Sequence, residues 1–240
     1  MEISPSPRQN KILASLPSTD YDRLFPHLEL VSIPLDTTLY NSSRILSHAY
    51  FPITSIVSLA SILDDGTTIE FALVGNEGVI GISLFMGSET TAANRAIVLS
   101  EGLAYQLNGS LLTREFSRSS TIQQALLQYT QTLISQIAQT AVCNRHHSLD
   151  RQLCRLLLLI VDRLPSNEIN MTQELIANTL GVRREGITEA AGRLQKAGLI
   201  QYSRGHIIIL NKRKLEKKAC ECYHIIKNES HHLFPNINSV

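Results

Sequence analysis

The stretch that decides the fold runs from Met171 to Gly198 and reads MTQELIANTLGVRREGITEAAGRLQKAG. Thr172 carries the side-chain oxygen that suits a helix N-cap, and Leu175, Ile176 and Leu180 then recur at the spacing of one apolar helical face. Gly181 follows them, where a left-handed residue ends a helix without a Cβ clash. A second helix is predicted from Arg183 or Arg184, with Ile187, Ala190, Ala191 and Leu194 turned inward. Two short helices joined by a glycine turn make a helix-turn-helix, whose second helix fits a DNA major groove about 12 Å wide. Gly186 and Gly192 interrupt that second helix at about 1 kcal/mol each relative to Ala, which predicts close approach by the first helix or by DNA.

Working outward, Leu199-Ile200-Gln201-Tyr202 and His206 to Leu210 flank the turn Ser203-Arg204-Gly205, the pattern of a β-hairpin wing. Upstream, Leu149, Leu153, Leu156, Leu157, Ile160, Val161 and Leu164 describe an amphipathic helix that stops at Pro165-Ser166-Asn167. Before it, Ile122, Leu126, Tyr129, Leu133 and Ile137 fall three or four apart through a segment without Gly or Pro, giving one helix of about 25–30 residues. A stripe this long and narrow is expected to pair with its own copy, so these five residues are the predicted homodimer seam. The alternative is a helix lying on its own β-domain. Asn144 to Ser148 reads as a hinge.

From Leu28 to Leu107 the texture is different: LELVSI, AYFPITSIVSLASIL, TTIEFALV, NRAIVLS and LAYQL are short β-rich runs. Turn signals punctuate them at Asp64-Asp65-Gly66, Gly75 to Gly78, Gly87-Ser88 and Glu101-Gly102, as in an antiparallel β-sandwich or jelly roll. Residues 10–25 read as short helix interrupted at Pro17. The expected class is therefore α+β: a jelly-roll sensor domain at 1–110, a dimerisation helix at 111–143 and a winged helix-turn-helix at 144–240.

Composition narrows the function classes. With 43% hydrophobic and 18% charged residues the chain is neither collagen-like nor wholly disordered. Its longest apolar run, Leu156 to Val161, falls far short of the ~20 residues that span a bilayer, so no membrane partner is expected. Four cysteines and no basic-plus-apolar leader point to a reducing, cytoplasmic compartment. Charge is divided: residues 1–142 hold 7 Lys and Arg against 12 Asp and Glu, whereas 143–227 hold 15 against 8. A basic C-terminal half suits a polyanion such as double-stranded DNA.

The order of these elements, and above all GVRREGITEAAGRLQKAGLI, resembles the Crp/Fnr family of bacterial transcription regulators. The resemblance implies a cyclic-nucleotide-binding-like β-domain and a homodimer that binds a two-fold symmetric operator and recruits or blocks RNA polymerase. Arg184 and Glu185 match the family's base-reading Arg-Glu pair; Arg184 can donate twice to guanine and Glu185 can accept from cytosine. Thr188 and Glu189 lie one turn further on the same helix and join the expected base-reading set. Glu189 departs from the family, which often carries a second Arg there, so a carboxylate would read a cytosine amine or orient Arg184 or Arg193. Thr172, Gln173, Arg183, Arg204 and His206 are the expected phosphate contacts, with Lys212, Arg213 and Lys214 as further candidates.

The same resemblance places the family's ribose carboxylate at Ile82 and its phosphate-binding Arg near Ala92, so neither charge is present. Glu77 and Arg95 are the possible substitutes, and Ile80, Ile82, Leu84 and Phe85 could line a pocket for an unknown small-molecule effector. No cofactor is expected. An N-terminal iron–sulfur cluster is excluded because no Cys precedes Cys143. Cys220 and Cys222 with His224 resemble a small metal clamp, and Cys143 stands near His146 and His147, yet buried structural cysteines are the favoured reading of these and of Cys154, with no metal. Two other functions compete: a thiol enzyme using Cys143 with His146 or His147, and a jelly-roll interaction module that leaves the recognition helix unused.

Overall fold

A computed structural model describes residues 5–41, 46–64, 68–87 and 94–233. The chain divides into two compact units, one of residues 1–59, 74–134 and 229–240, the other of 60–73 and 135–228. The order is α1 (Lys11–Ser15), α2 (Ser18–Leu24), β1 (Glu29–Ile33), β2 (Thr38–Tyr40), β3 (His48–Pro52), β4 (Ile56–Ile62), β5 (Thr68–Val74), β6 (Arg95–Ser100), β7 (Gly102–Asn108), α3 (Gly109–Arg118) and α4 (Ser120–His146). Next come α5 (Leu149–Val161), β8 (Glu168–Asn170), α6 (Gln173–Leu180), α7 (Arg184–Lys196), β9 (Ile200–Ser203), β10 (His206–Ile209), α8 (Lys212–Lys218) and α9 (Glu221–Leu233).

The β-domain has two sheets, β1-β7-β3, antiparallel throughout, and β2-β6-β4-β5, in which β2 pairs antiparallel with β6. The run AYFPITSIVSLASIL, which reads as one segment, serves both. It turns a corner at Ile53 to Ser55, where the Ile53 and Thr54 N–H groups and the Ser55 hydroxyl all donate to the Leu103 carbonyl. Inward residues Phe51, Ile56, Val57, Ile80, Val98 and Leu107 are almost fully buried. The β2 strand is not anticipated from the sequence; three residues with a register shift between Thr38 and Tyr40 are too short to display a period of two. Asp65-Gly66, Ser88, Ala92 and the 234–240 tail lie outside the described residues.

The long helix exists, but its stripe is used differently. Ile122, Leu126, Tyr129 and Leu133 are each at most 3% exposed within the single chain, which corrects the expectation that they form the homodimer seam. The physical reason sits at Gly78. A Cβ there would lie 2.6 Å from the Tyr129 ring, so only glycine lets the tyrosine approach the β-domain this closely. Ile137 is half-buried. The residues left exposed are Leu127 at 44%, Ile134 at 52% and Val142 at 46%, together with Ala138 and Ala141. Gly78→Ala is expected to force the ring aside and to cost about 1–3 kcal/mol, read as a lower urea midpoint; an unchanged midpoint would show that the contact is slack.

In the second unit, α5 is buried along nearly its whole length, from Gln152 to Val161. The wing is a three-stranded sheet, β8-β10-β9, because Glu168–Asn170 adds a strand to β10. Among the described residues no helix is long and apolar enough to cross a membrane.

Candidate nucleic-acid interface

Thr172 caps α6 as its chemistry suggests, its hydroxyl oxygen accepting from the Leu175 N–H at 3.1 Å. Gly181 ends the helix at φ +64, and the chain re-enters helix at Arg184, with Ile187, Ala190, Ala191 and Leu194 buried. In the wing, Ser203 pairs with His206 across Arg204 at φ +49 and Gly205 at φ +84. Two consecutive left-handed residues make the mirror-image hairpin turn that matches strand twist, and they put Arg204 at its tip.

Tyr202 joins wing to helices: its N–H donates to Gln195 Oε1 at 2.9 Å and its hydroxyl donates to the Met171 carbonyl at 2.9 Å. The result is an open cleft of about 450 Å³ lined by Thr172, Gln173, Arg184, Thr188, Gln195, Tyr202 and Arg204. Five of the residues named from sequence therefore converge: Thr172, Gln173, Arg184, Thr188 and Arg204. The Thr188 hydroxyl donates to Gln173 Oε1 at 2.7 Å and links the first helix of the pair to the second. Sequence reading missed Gln195 and Tyr202, for which a polar and an aromatic residue beside the wing turn were the only signal.

The others stand elsewhere. Glu185 and Arg183 are exposed at the start of α7, where Arg183 is the N-cap residue without a side-chain capping bond. Glu189 Oε2 lies 3.7 Å from Arg193 Nη1, while Arg193 Nη2 reaches Asp150 at 2.7 Å. This favours the orienting role over base reading for Glu189. The Arg193 guanidinium holds the Asp150 carboxyl below the usual carboxylate range. His206 Nε2 faces Glu168 at 3.2 Å, a carboxylate that competes with a phosphate. Lys212 is likewise engaged by Asp162 at 2.6 Å.

The two helix glycines separate in cause. A Cβ on Gly186 would come within 2.9 Å of Leu149 Cδ2, so α5 makes the close approach there, whereas a Cβ on Gly192 meets nothing within 4 Å. Gly192 instead lines the open cleft.

In the β-domain, Glu77 is buried and its Oε1 accepts from the Gly75 N–H, while Arg95 Nη2 donates to Thr38 Oγ1 at 3.0 Å. Ile82 opens a short 3-10 helix and is half-buried. The apolar residues around it pack on their own chain: Ile80 is 1% exposed and Phe85 stacks on Phe116 at 5.1 Å.

Cys143 is unsuited to nucleophilic work. Its thiol is fully buried and is pushed up by donating to Cys220 and by desolvation. The hydrogen-bond contact of His147 Nδ1 is with Cys222, at 3.6 Å, not with Cys143, and His146 is exposed.

Residues 151–218 match the family model of the Crp-like helix-turn-helix domain. The fold is similar to FixK2 from Bradyrhizobium japonicum, with a TM-score of 0.69 at 17% identity over 80% of this chain and 98% of that one. A putative transcriptional regulator of the Crp/Fnr family from Eubacterium rectale gives 0.68 at 19% identity over 88% and 98%. A CRP-family transcriptional regulator from Thermus thermophilus gives 0.66 at 17% identity over 79% and 96%. No curated protein matches the sequence.

Proposed function

We propose, for a chain that has the fold of the Crp/Fnr transcription regulators and a helix-turn-helix domain of the Crp type, that it binds a two-fold symmetric DNA operator as a homodimer and regulates transcription in the cytoplasm. The observation that carries this reading is the cleft between the start of α6, one face of α7 and the wing, which both Arg184 and Arg204 line. Arg184, at the start of α7, would read a base, with Glu185 and Thr188 beside it. Thr172, Gln173, Arg183 and Arg204 would hold phosphates, and His206 would do so once released from Glu168. The open backbone at Gly192 gives a phosphate room to approach.

The dimer seam we assign to the exposed face of α4, where Leu127, Ile134, Ala138 and Ala141 follow one another at intervals of seven, four and three, the heptad spacing of a coiled-coil stripe. RNA polymerase is the expected protein partner, as the Crp/Fnr resemblance implies. Glu77, Ile82 and Arg95 would be the residues to face a small-molecule effector in the β-domain.

Selection of genomic DNA fragments on the purified protein, followed by sequencing, tests this. The expected product is one enriched palindrome with half-sites a helical turn apart, about 34 Å. Retention of DNA without sequence enrichment would reduce the protein to a non-specific binder, and no retention at low salt would end the reading.

A further inference from the structure

The last turn of α4 and the junction of α8 with α9 meet around four side chains, all within the second unit. Cys143 lies in the last turn of α4 and His147 directly follows that helix, its N–H donating to the Cys143 carbonyl at 3.0 Å. Cys220 and Cys222 flank the start of α9. The Sγ atoms of Cys143 and Cys220 are 3.6 Å apart, Cys222 Sγ is 3.6 Å from His147 Nδ1, and all four donor atoms lie within 4.8 Å of one another. The three cysteines are at most 2% exposed and none is in a disulfide. This corrects the partners read from spacing, since His224 and His146 are exposed and, among the described residues, His147 is the histidine that joins the cysteines.

We propose that Cys143, His147, Cys220 and Cys222 form a structural site for a single zinc ion. A tetrahedral zinc with bonds of about 2.3 Å to sulfur and about 2.0 Å to nitrogen keeps its ligand atoms about 3.5–3.8 Å apart, the separation already present in both measured pairs. Thiolate plus imidazole is the donor set that zinc favours, and four atoms this close converge on one ion, whereas a cubane spreads its cysteines over separate irons.

Two neighbours fit the same assignment. His147 Nε2 lies 3.3 Å from Glu221 Oε1, so a carboxylate orients the ring with Nδ1 toward the sulfurs, the usual support of a metal-bound histidine. Arg155 is 4% exposed, and its Nε has no hydrogen-bond partner among the described residues. A buried guanidinium needs a counter-charge, and a zinc ion with three thiolates carries net −1. Such an ion would tie the end of the long helix to the helix pair that follows the wing, closing a loop that contains the whole helix-turn-helix.

Full-length protein purified under reducing conditions without chelator is expected to contain about one zinc per chain by mass spectrometry of the metal. Exchange for Co2+ is expected to give the visible absorption of tetrahedral thiolate coordination. Cys222→Ser and His147→Gln are expected to lose most of the metal, and Cys154→Ser, a buried cysteine outside the group, to keep it. If the ligand variants do not fold, the wild-type stoichiometry and the Co2+ spectrum decide alone. Wild-type protein that takes up neither Zn2+ nor Co2+, folded ligand variants that keep full metal, or iron with a cluster spectrum would each overturn the proposal. None of these readouts depends on DNA.

Discussion

Ile134→Lys is expected to yield a folded monomer whose operator affinity falls by about 10²–10⁴-fold, the advantage lost when two linked half-site contacts become independent. Ile134 is 52% exposed in the single chain, so a lysine there can extend into solvent and leaves the chain's own core intact. In a dimer built on the face of Leu127, Ile134, Ala138 and Ala141, the same lysine would place a charge in an apolar seam at a cost of several kcal/mol. Leu133→Lys supplies the contrast, because Leu133 is 2% exposed and belongs to the chain's own core. It is expected to lower stability outright, not to separate chains. Sedimentation, circular dichroism and operator titration on both variants distinguish the faces. A folded Leu133→Lys monomer beside a dimeric Ile134→Lys would return the seam to the Ile122–Ile137 stripe, and a wild type that is monomeric alone and on DNA would remove the dimer altogether.

Where sequence reading succeeded, several local signals agreed within a few residues. Thr172 as cap, Gly181 as left-handed stop and the inward residues of α7 are all decided by neighbours in the chain, and the structure has each of them. The periodicity of α4 was equally legible, but a stripe states only that one face is apolar. What covers it was written at Gly78, about 50 residues away, in the absence of a side chain. The strands β2 and β8, three residues each, offer no period and were fixed by pairing with β6 and β10. The cysteine group was hidden for the same reason: Cys143 and Cys220 are separated by 77 residues, and only the fold makes them neighbours. Spacing along the chain suggested His224, which α9 turns to solvent.

Arg184→Ala is expected to weaken binding by about 1–3 kcal/mol per half-site and to relax the choice of base at one position, and a dimer suffers this twice. Both Arg184 and Arg204 line the cleft, so their location does not separate their roles. Their mounting does. Arg184 is the first residue of α7, and the N-terminal residues of a recognition helix are those that meet base edges in the major groove. Arg204 rides on a two-residue turn at φ +49, from which a flexible side chain reaches the backbone beside the groove. For that turn Arg204→Asn is the suitable variant, since Asn tolerates the left-handed conformation that Ala resists. It is expected to weaken all sequences alike and to lower the salt dependence by about one unit per chain. Competition between the selected operator and its single-base variants reads the difference. Equal losses on operator and random DNA for Arg184→Ala would put that guanidinium on a phosphate, leaving Glu185 and Thr188 to carry the sequence choice.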